Sequence, residues 1–144
     1  GKYVKSGLQI FMEKAKNGED ITIFGDKNLS RDVVYVKDVA HAFFLAMQSS
    51  KTSGLYNMTS GKGVTMQEQA EVIADIFAST SGKKSRIIYR PEIPNNTPSY
   101  LFSMEKAKRD FGFIPKYSDF RIMMMDYKKD IDDRRYYDLF QYEL

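Results

Sequence analysis

The sequence predicts an α/β fold in which short strands alternate with helices. Short β-rich runs are separated by segments whose apolar residues recur at helical spacing. Capping and turn residues stand at the junctions between them. Such alternation favours α/β or α+β over all-α and all-β architectures. A chain of 144 residues with 42% hydrophobic residues has the size and composition of one globular domain.

The first half of the chain predicts two helices and two strands. Apolar residues recur at helical spacing from Leu8, and Gly18 suits the left-handed end of that helix. A strand is predicted at residues 21–24 and a second β-rich run at residues 32–36. Asp38 is expected to cap the next helix, which is apolar enough to be buried on more than one side. Its apolar stripe consists of Val39, Ala42, Phe43, Ala46 and Met47.

The second half predicts further short strands and three helices. Strands are expected at residues 55–58 and 86–89, and a capping box at residues 65–68 opens a helix between them. Ser103 and Ser118 are the predicted N-caps of the last two helices. The final helix carries an apolar stripe formed by Phe120, Met123, Met124, Tyr127 and Ile131.

These elements predict a domain at residues 1–131 and a charged, aromatic tail at residues 132–144. The net charge is +3, but acidic and basic residues are interleaved, which is typical of a solvated surface and disfavours nucleic-acid binding. The chain lacks cysteine and has one histidine, so disulfides, thiol nucleophiles and His/Cys zinc sites are excluded. No apolar run is long enough for a membrane span, and a cytoplasmic location is expected.

Side-chain chemistry and position in the sequence indicate one candidate binding residue, Arg31. It stands where a loop enters a β-rich run, and a fixed guanidinium there could fork onto a diphosphate. The alternative is a structural ion pair with Asp32 or Asp38. The loop at residues 61–63 has two glycines but lacks a third, so it predicts a tight turn rather than a cofactor cradle. His41 lies within a predicted helix, where a structural or surface role is favoured.

Four motifs in series resemble the C-terminal half of the extended short-chain dehydrogenase/reductase family, the nucleotide-sugar epimerases and dehydratases. Residues 23–42 resemble the family's run I-x-G-D-G followed by R-D-[FVY]-[VI]-[YH]-V-x-D-[VL]-A-x-A. Residues 54–61 are similar to G-x-x-Y-N-[IL]-G-[ST]-G, and residues 64–73 to V-[ST]-x-x-E-[LI]-A-E-x-I. Residues 106–115 resemble S-K-A-x-x-x-L-G-[WF]-x-P. Together the motifs cover roughly residues 8–128 in the family's order.

The resemblance implies a site for a nucleotide-diphosphate sugar. It assigns Arg31 to the diphosphate and the strand residues Thr22 and Phe24 to the base. Tyr100, shortly before the K-A helix, is implied to lie near the nucleotide-sugar. Arg90 is the candidate for the second phosphate ligand, although it is displaced from the place where relatives carry that arginine.

The resemblance also implies that the catalytic groups lie outside this chain. The family's glycine-rich NAD loop, its catalytic Ser/Thr and its Tyr-x-x-x-Lys belong to the N-terminal half. NAD(P) is therefore expected in a longer parent enzyme, whereas this chain is expected to bind no cofactor tightly, to hold no metal and to show no turnover alone. Its expected partners are the nucleotide-sugar and the N-terminal NAD-binding domain, with self-association through exposed apolar faces.

Two other functions are compatible with the sequence. A relative of the family could keep the fold without the chemistry and act as a sensor or scaffold. The third hypothesis is a stand-alone interaction module, whose contact surface would be formed by Tyr136, Tyr137, Phe140 and Tyr142 of the tail. The sequence preceding Gly1 in the gene would separate the three.

Overall fold

The structure is a computed structural model that describes residues 5–80, 82–95 and 98–135. Within these ranges it has five helices and four strands, which confirms the predicted mixture of helices and short strands. They are α1 (Gly7–Asn17), β1 (Ile21–Phe24), β2 (Ser30–Asp32), α2 (Val36–Gln48), β3 (Gly63–Thr65), α3 (Met66–Ile76), β4 (Ile87–Arg90), α4 (Glu105–Phe111) and α5 (Phe120–Asp132). The tail aromatics at 136–142 lie outside the described residues.

The four strands form two small sheets. β1 and β4 are parallel, with Phe24 opposite Arg90 at their carboxyl ends. β2 and β3 are antiparallel, with Arg31 opposite Val64. The two sheets are tied together where α3 begins, because the amide of Met66 donates to the carbonyl oxygen of Leu29 at 2.9 Å.

The larger core is formed by α1, α3 and α5 around β1. Ile21 and Ile23 project from alternate positions of β1 into this core, as the period of two in a strand requires. Phe77, the C-cap residue that follows α3, is only 1% exposed and belongs to this core. The predicted stripe of the last helix is confirmed, since Phe120, Met123 and Met124 are buried here and Tyr127 and Ile131 pack against them.

The smaller core lies between α2 and α4. Its buried members are Ala42, Ala107, Phe111 and Phe113. The opposite side of α2 is open, with Phe43, Phe44 and Met47 exposed by 63%, 53% and 79%. The expectation that α2 is buried on more than one side is therefore wrong for the chain alone, and the exposed apolar surface that the sequence predicted is present.

The β-rich run at residues 32–36 is the main element that the sequence misplaces. β2 ends at Asp32, and α2 already begins at Val36. Asp38 is consequently inside the first turn of α2 rather than at its N-cap. Its buried carboxylate accepts hydrogen bonds from the backbone amides of Lys116 and Tyr117, at 2.8 and 2.9 Å. Asp38 thus joins α2 to the segment before α5.

Other predicted boundaries shift by small amounts. Residues 55–58 form no strand, and the N-caps of α4 and α5 are Met104 and Asp119 instead of Ser103 and Ser118. Thr65 does cap α3 by accepting from the amide of Glu68 at 3.1 Å. The longest described helices have 13 residues, and none of the described helices could span a bilayer.

Candidate functional site

The carboxyl ends of β1 and β4 form one part of the candidate site. Phe24 is 47% exposed there, and the amide of Gly25 donates to the carbonyl oxygen of Arg90 at 3.0 Å. Thr22 lies two residues earlier on β1, half-buried, opposite Ile88. This edge therefore offers an exposed aromatic ring beside strand backbone.

Gly25 allows the segment after β4 to close over this edge. Its φ is +70°, in the left-handed region that favours glycine. A Cβ at this position would lie 2.7 Å from the backbone nitrogen of Asn95. Any side chain at position 25 would therefore push the 91–95 segment away from the end of β1.

Arg31 and Tyr100 form the second part of the candidate site. The guanidinium carbon of Arg31 lies 5.1 Å from the centre of the Tyr100 ring, within the range of a cation–π contact. The Nη1 of Arg31 donates to the carbonyl oxygen of Pro98. Because a guanidinium carries five N–H donors, this one bond leaves a further edge of Arg31 for a ligand.

The structural ion pair considered for Arg31 is not formed. Both Asp32 and Asp38 use their carboxylates for other donors, and within the described ranges neither forms an ion pair with Arg31. The arginine is therefore held by a neutral carbonyl and an aromatic ring. Such partners orient a guanidinium without neutralising its charge.

Further cations lie at the β1–β4 edge. Arg90 is 3.6 Å from the carboxylate of Glu92, with both side chains more than half exposed. Lys27 places its ammonium 4.9 Å from the ring centre of Tyr89. Exposed, loosely paired cations of this kind can attract an anionic ligand.

The structure thus brings two of the predicted residues, Arg31 and Tyr100, into direct contact. Thr22, Phe24 and Arg90 form a separate group on β1 and β4, which the chain connects to β2 through residues 25–29. Sequence reasoning missed the hydrogen bonds that Asp32 makes behind Arg31, with the hydroxyls of Thr59 and Ser60 and with the backbone amide of Phe102. The only sequence signal for them is the position of Asp32 beside Arg31.

A second polar cluster lies away from this site, between α2 and α5. The carboxylate of Asp126 accepts from the hydroxyls of Tyr35 and Tyr117 at 2.8 and 3.2 Å and pairs with Lys37 at 2.5 Å. Partial burial opposes ionisation of Asp126, but these donors outweigh it and hold its pKa below the ordinary value. Burial and the neighbouring carboxylate of Asp126 raise the pKa of Tyr35. Since its members satisfy one another, this cluster has the character of a structural link.

Gly61 and Gly63 of the loop at residues 61–63 lie close to side chains from other parts of the chain. A Cβ at Gly61 would lie 2.7 Å from the terminal carbon of Met104, and one at Gly63 would lie 2.3 Å from the hydroxyl of Ser30. These glycines therefore admit neighbouring side chains of the chain itself, as the prediction of a tight turn requires. Within the described residues no group of acidic or histidine side chains is arranged to hold a metal ion.

Residues 1–59 match the model of the NAD dependent epimerase/dehydratase family. The UDP-glucose 4-epimerase of Halalkalibacterium halodurans is 30% identical over 115 residues, which cover 74% of this chain and 33% of that protein. The dTDP-4-dehydro-6-deoxyglucose reductase of Escherichia coli is 25% identical over 108 residues, which cover 75% of this chain and 33% of that protein.

The fold is similar to that of a UDP-glucose 4-epimerase whose crystal structure is known. The crystal structure of UDP-glucose 4-epimerase from Thermotoga maritima, determined with UDP-glucose, superposes with a TM-score of 0.66 at 27% identity. The match covers 88% of this chain and 40% of that enzyme.

The chain is therefore related, in sequence and in fold, to the extended short-chain dehydrogenases/reductases. Within that class it is similar to the NAD-dependent epimerases and dehydratases of nucleotide sugars. It spans about a third of the length of the curated relatives it matches.

Proposed function

We propose that this chain is the nucleotide-sugar-binding portion of an NAD-dependent epimerase or dehydratase. The observation that carries the proposal is the guanidinium of Arg31, which lies over the Tyr100 ring and has no carboxylate partner among the residues that the structure describes. A site for a diphosphate needs such a cation, because phosphate oxygens are best bound by the two-pronged hydrogen bonds of arginine. The relationship to enzymes that act on UDP- and dTDP-linked sugars supports this ligand class.

The two parts of the site divide the ligand between them. Arg31 binds the diphosphate, while the Tyr100 ring holds the guanidinium in place and borders the nucleotide-sugar. Phe24 offers its exposed ring, and the backbone around Thr22 its polar groups, to the base. Arg90 supplies a second positive charge at the same edge, and its weak pairing with Glu92 leaves it free to turn toward a phosphate.

The cofactor of the complete enzyme is proposed to lie on a preceding NAD-binding domain. The glycines at residues 61 and 63 of this chain closely approach Met104 and Ser30, which supports placing the cofactor on another domain. We expect the purified chain to show no turnover when NAD and UDP-glucose are both supplied. A confirmed rate would overturn this part of the proposal.

The open side of α2 is the proposed contact surface for that preceding domain. Phe43, Phe44 and Met47 are exposed side by side on one helix, and Leu55 beyond its end is 92% exposed. Apolar surface of this extent is usually covered by a partner. In the isolated chain the same surface is expected to promote self-association.

The diphosphate assignment is tested by titrating UDP-glucose into the purified chain and following the amide and side-chain resonances by NMR. We expect shifts at Arg31, Tyr100 and Phe24, and a loss of affinity of about 10- to 100-fold in Arg31→Ala. UDP without the sugar should retain the response at Arg31.

Arg86→Ala is the matched control for charge. Arg86 precedes β4 and is paired with Asp20 at the opposite ends of the same two strands, with Nη2 to Oδ2 at 2.6 Å. Its removal changes the net charge equally but leaves the proposed site intact. Equal affinity in Arg31→Ala and the unsubstituted chain, or equal losses in the two arginine variants, would refute the proposal.

A further inference from the structure

β2 is bonded at every one of its residues to the segment 98–102. The amide of Ser30 donates to the hydroxyl of Ser99 at 2.9 Å, and the carbonyl oxygen of Ser30 accepts from the amide of Tyr100 at 3.4 Å. Arg31 contacts Pro98 and the Tyr100 ring, as described above. Asp32 completes the series by accepting from the amide of Phe102 at 3.3 Å. The segment is thus laid along β2 although it is not itself a strand.

The carboxylate of Asp32 is fixed by four donors. Its Oδ1 accepts from the backbone amide and the hydroxyl of Ser60, at 3.0 and 2.8 Å. Its Oδ2 accepts from the hydroxyl of Thr59 and from the amide of Phe102. Thr59 and Ser60 are buried, so three of the four donors belong to an interior loop and only one to the exposed segment. Burial disfavours the charged form, but the donors outweigh it and keep the pKa of Asp32 below its ordinary value.

The exposed segment depends on these bonds for its position. Tyr100 and Phe102 are 40% and 51% exposed, and their rings contact each other at 5.4 Å rather than entering either core. Apolar burial therefore contributes little to fixing them, and the hydrogen bonds to β2 have to do so. The segment is held on both sides of Tyr100. Ser99 is bonded to β2 before that residue, and the amide of Phe102 is bonded to Asp32 after it.

We propose that Asp32 is a positioning residue of the Arg31 site. Its carboxylate does not contact the ligand; it anchors the amide of Phe102 to β2, the strand that also carries Arg31, and this keeps the Tyr100 ring against the guanidinium of Arg31. The inference depends on the proposed function, since it assigns Asp32 a role in binding of the nucleotide-sugar diphosphate. A half-buried carboxylate that serves the fold alone is the competing explanation.

Asp32→Asn tests the proposal because it removes one interaction selectively. The amide oxygen of the new side chain can still accept from both donors of Ser60. The amide nitrogen can donate to the hydroxyl of Thr59, because that hydroxyl can rotate to accept. It cannot accept from the N–H of Phe102, because both groups are donors, so this hydrogen bond is lost. We expect the Phe102 amide to exchange with solvent about tenfold faster and the affinity for UDP-glucose to fall about three- to tenfold.

Thr59→Val is the matched control. It removes a hydrogen bond to the same oxygen of Asp32 from the interior side and leaves the Phe102 amide bonded. If Asp32 positions Tyr100, Thr59→Val lowers stability but keeps both the Phe102 exchange rate and the affinity. If Asp32 is only structural, the two variants lose stability and affinity in parallel, and the inference is wrong.

The Arg31→Ala titration separates failure of this inference from failure of the proposed function. Loss of affinity in Arg31→Ala together with wild-type affinity in Asp32→Asn would overturn the positioning role alone. Unchanged affinity in Arg31→Ala would remove the anion site itself, and the role of Asp32 would be lost with it. Folding of each variant is checked by circular dichroism and by the amide protection of the β1–β4 pair.

Discussion

The two cores of the molecule differ in how completely they are covered. Helices α1, α3 and α5 pack around β1 and bury large side chains such as Phe77 on every side. Helix α2, which is as long as α5, buries only Asp38 and Ala42 and presents Phe43 and Phe44 to solvent. One region is complete within the chain, whereas the other is covered on one side only.

Besides the smaller core, polar contacts attach α2 to the rest of the chain. The carboxylate of Asp38 binds the 116–117 backbone, and Lys37 pairs with Asp126 and Asp130 of α5 at 2.5 and 2.6 Å. The ring of Tyr35 meets that of Tyr117 edge to face at 4.9 Å. An interface of this type fixes the direction of a helix while leaving its apolar face available to another domain.

The largest effect is expected in the complete core. Phe77→Ala should lower the free energy of unfolding by about 3–5 kcal/mol, because it leaves a cavity among α1, α3 and α5. Phe43→Ala on the open face should cost less than about 0.5 kcal/mol, since the ring is already hydrated. Urea unfolding followed by circular dichroism measures both. Similar losses in the two variants would contradict the division into covered and open regions.

The polar attachment of α2 is tested by Asp38→Ala. Removing the carboxylate leaves the amides of Lys116 and Tyr117 without an acceptor, and we expect a loss of about 2–3 kcal/mol in the free energy of unfolding. Asp119→Ala is the control, because the exposed carboxylate of Asp119 accepts from a single amide, that of Ile122, as an N-cap. Its loss should be about 1 kcal/mol. Equal losses would mean that Asp38 is no more than a local cap.

The sequence predicted the complete core better than the open one. The α5 stripe that includes Phe120 and Met123 follows from helical spacing, and β1 follows from its β-branched run between two glycines. The start of α2 was missed because residues 33–36 have strong β propensity, which the contacts of Tyr35 and Asp38 with the segment before α5 override. Propensity is local, and these contacts join residues about 80 positions apart.

The candidate site was predicted only as far as its motifs reach. Arg31 and Tyr100 are separated by 69 positions, and nothing in composition or periodicity places them in contact. The resemblance to a family assigned both residues to one nucleotide-sugar site, but it did not predict their contact. It did not indicate that Asp32 would bind Thr59, Ser60 and the Phe102 amide, because hydrogen bonds among loops have no sequence period.

The open face should drive self-association of the isolated chain. We expect a concentration-dependent dimer in sedimentation equilibrium, and Phe43→Lys should raise its dissociation constant about tenfold, since a charge replaces a ring that would be buried. Ile122→Lys on α5 is the control, because Ile122 is an exposed apolar residue outside the α2 face. A chain that stays monomeric at every concentration, or equal effects of the two lysines, would contradict this use of the face.

The smallest effect is expected from the pH dependence of the α2–α5 link. The pKa of Asp126 is lowered in the folded chain, so its contribution to stability is fully present above its unfolded value of about 3.9 and is lost as the pH falls through the folded value. Asp126→Asn should therefore flatten the stability–pH curve below about pH 4. Thermal unfolding at a series of acidic pH values measures the change.

Asp75→Asn provides the exposed comparison for this prediction. The pKa of Asp75 is also lowered, by the guanidinium of Arg121 at 2.6 Å, but that pair joins two exposed side chains. Salt at about 1 M should remove most of the contribution that Asp75 makes to the free energy of unfolding. It should remove less of the contribution of Asp126, because that carboxylate is partly shielded from water. If salt abolished both contributions equally, the polar cluster of α2 would be a surface feature, and the Asp38 contact would remain as the specific polar attachment of that helix.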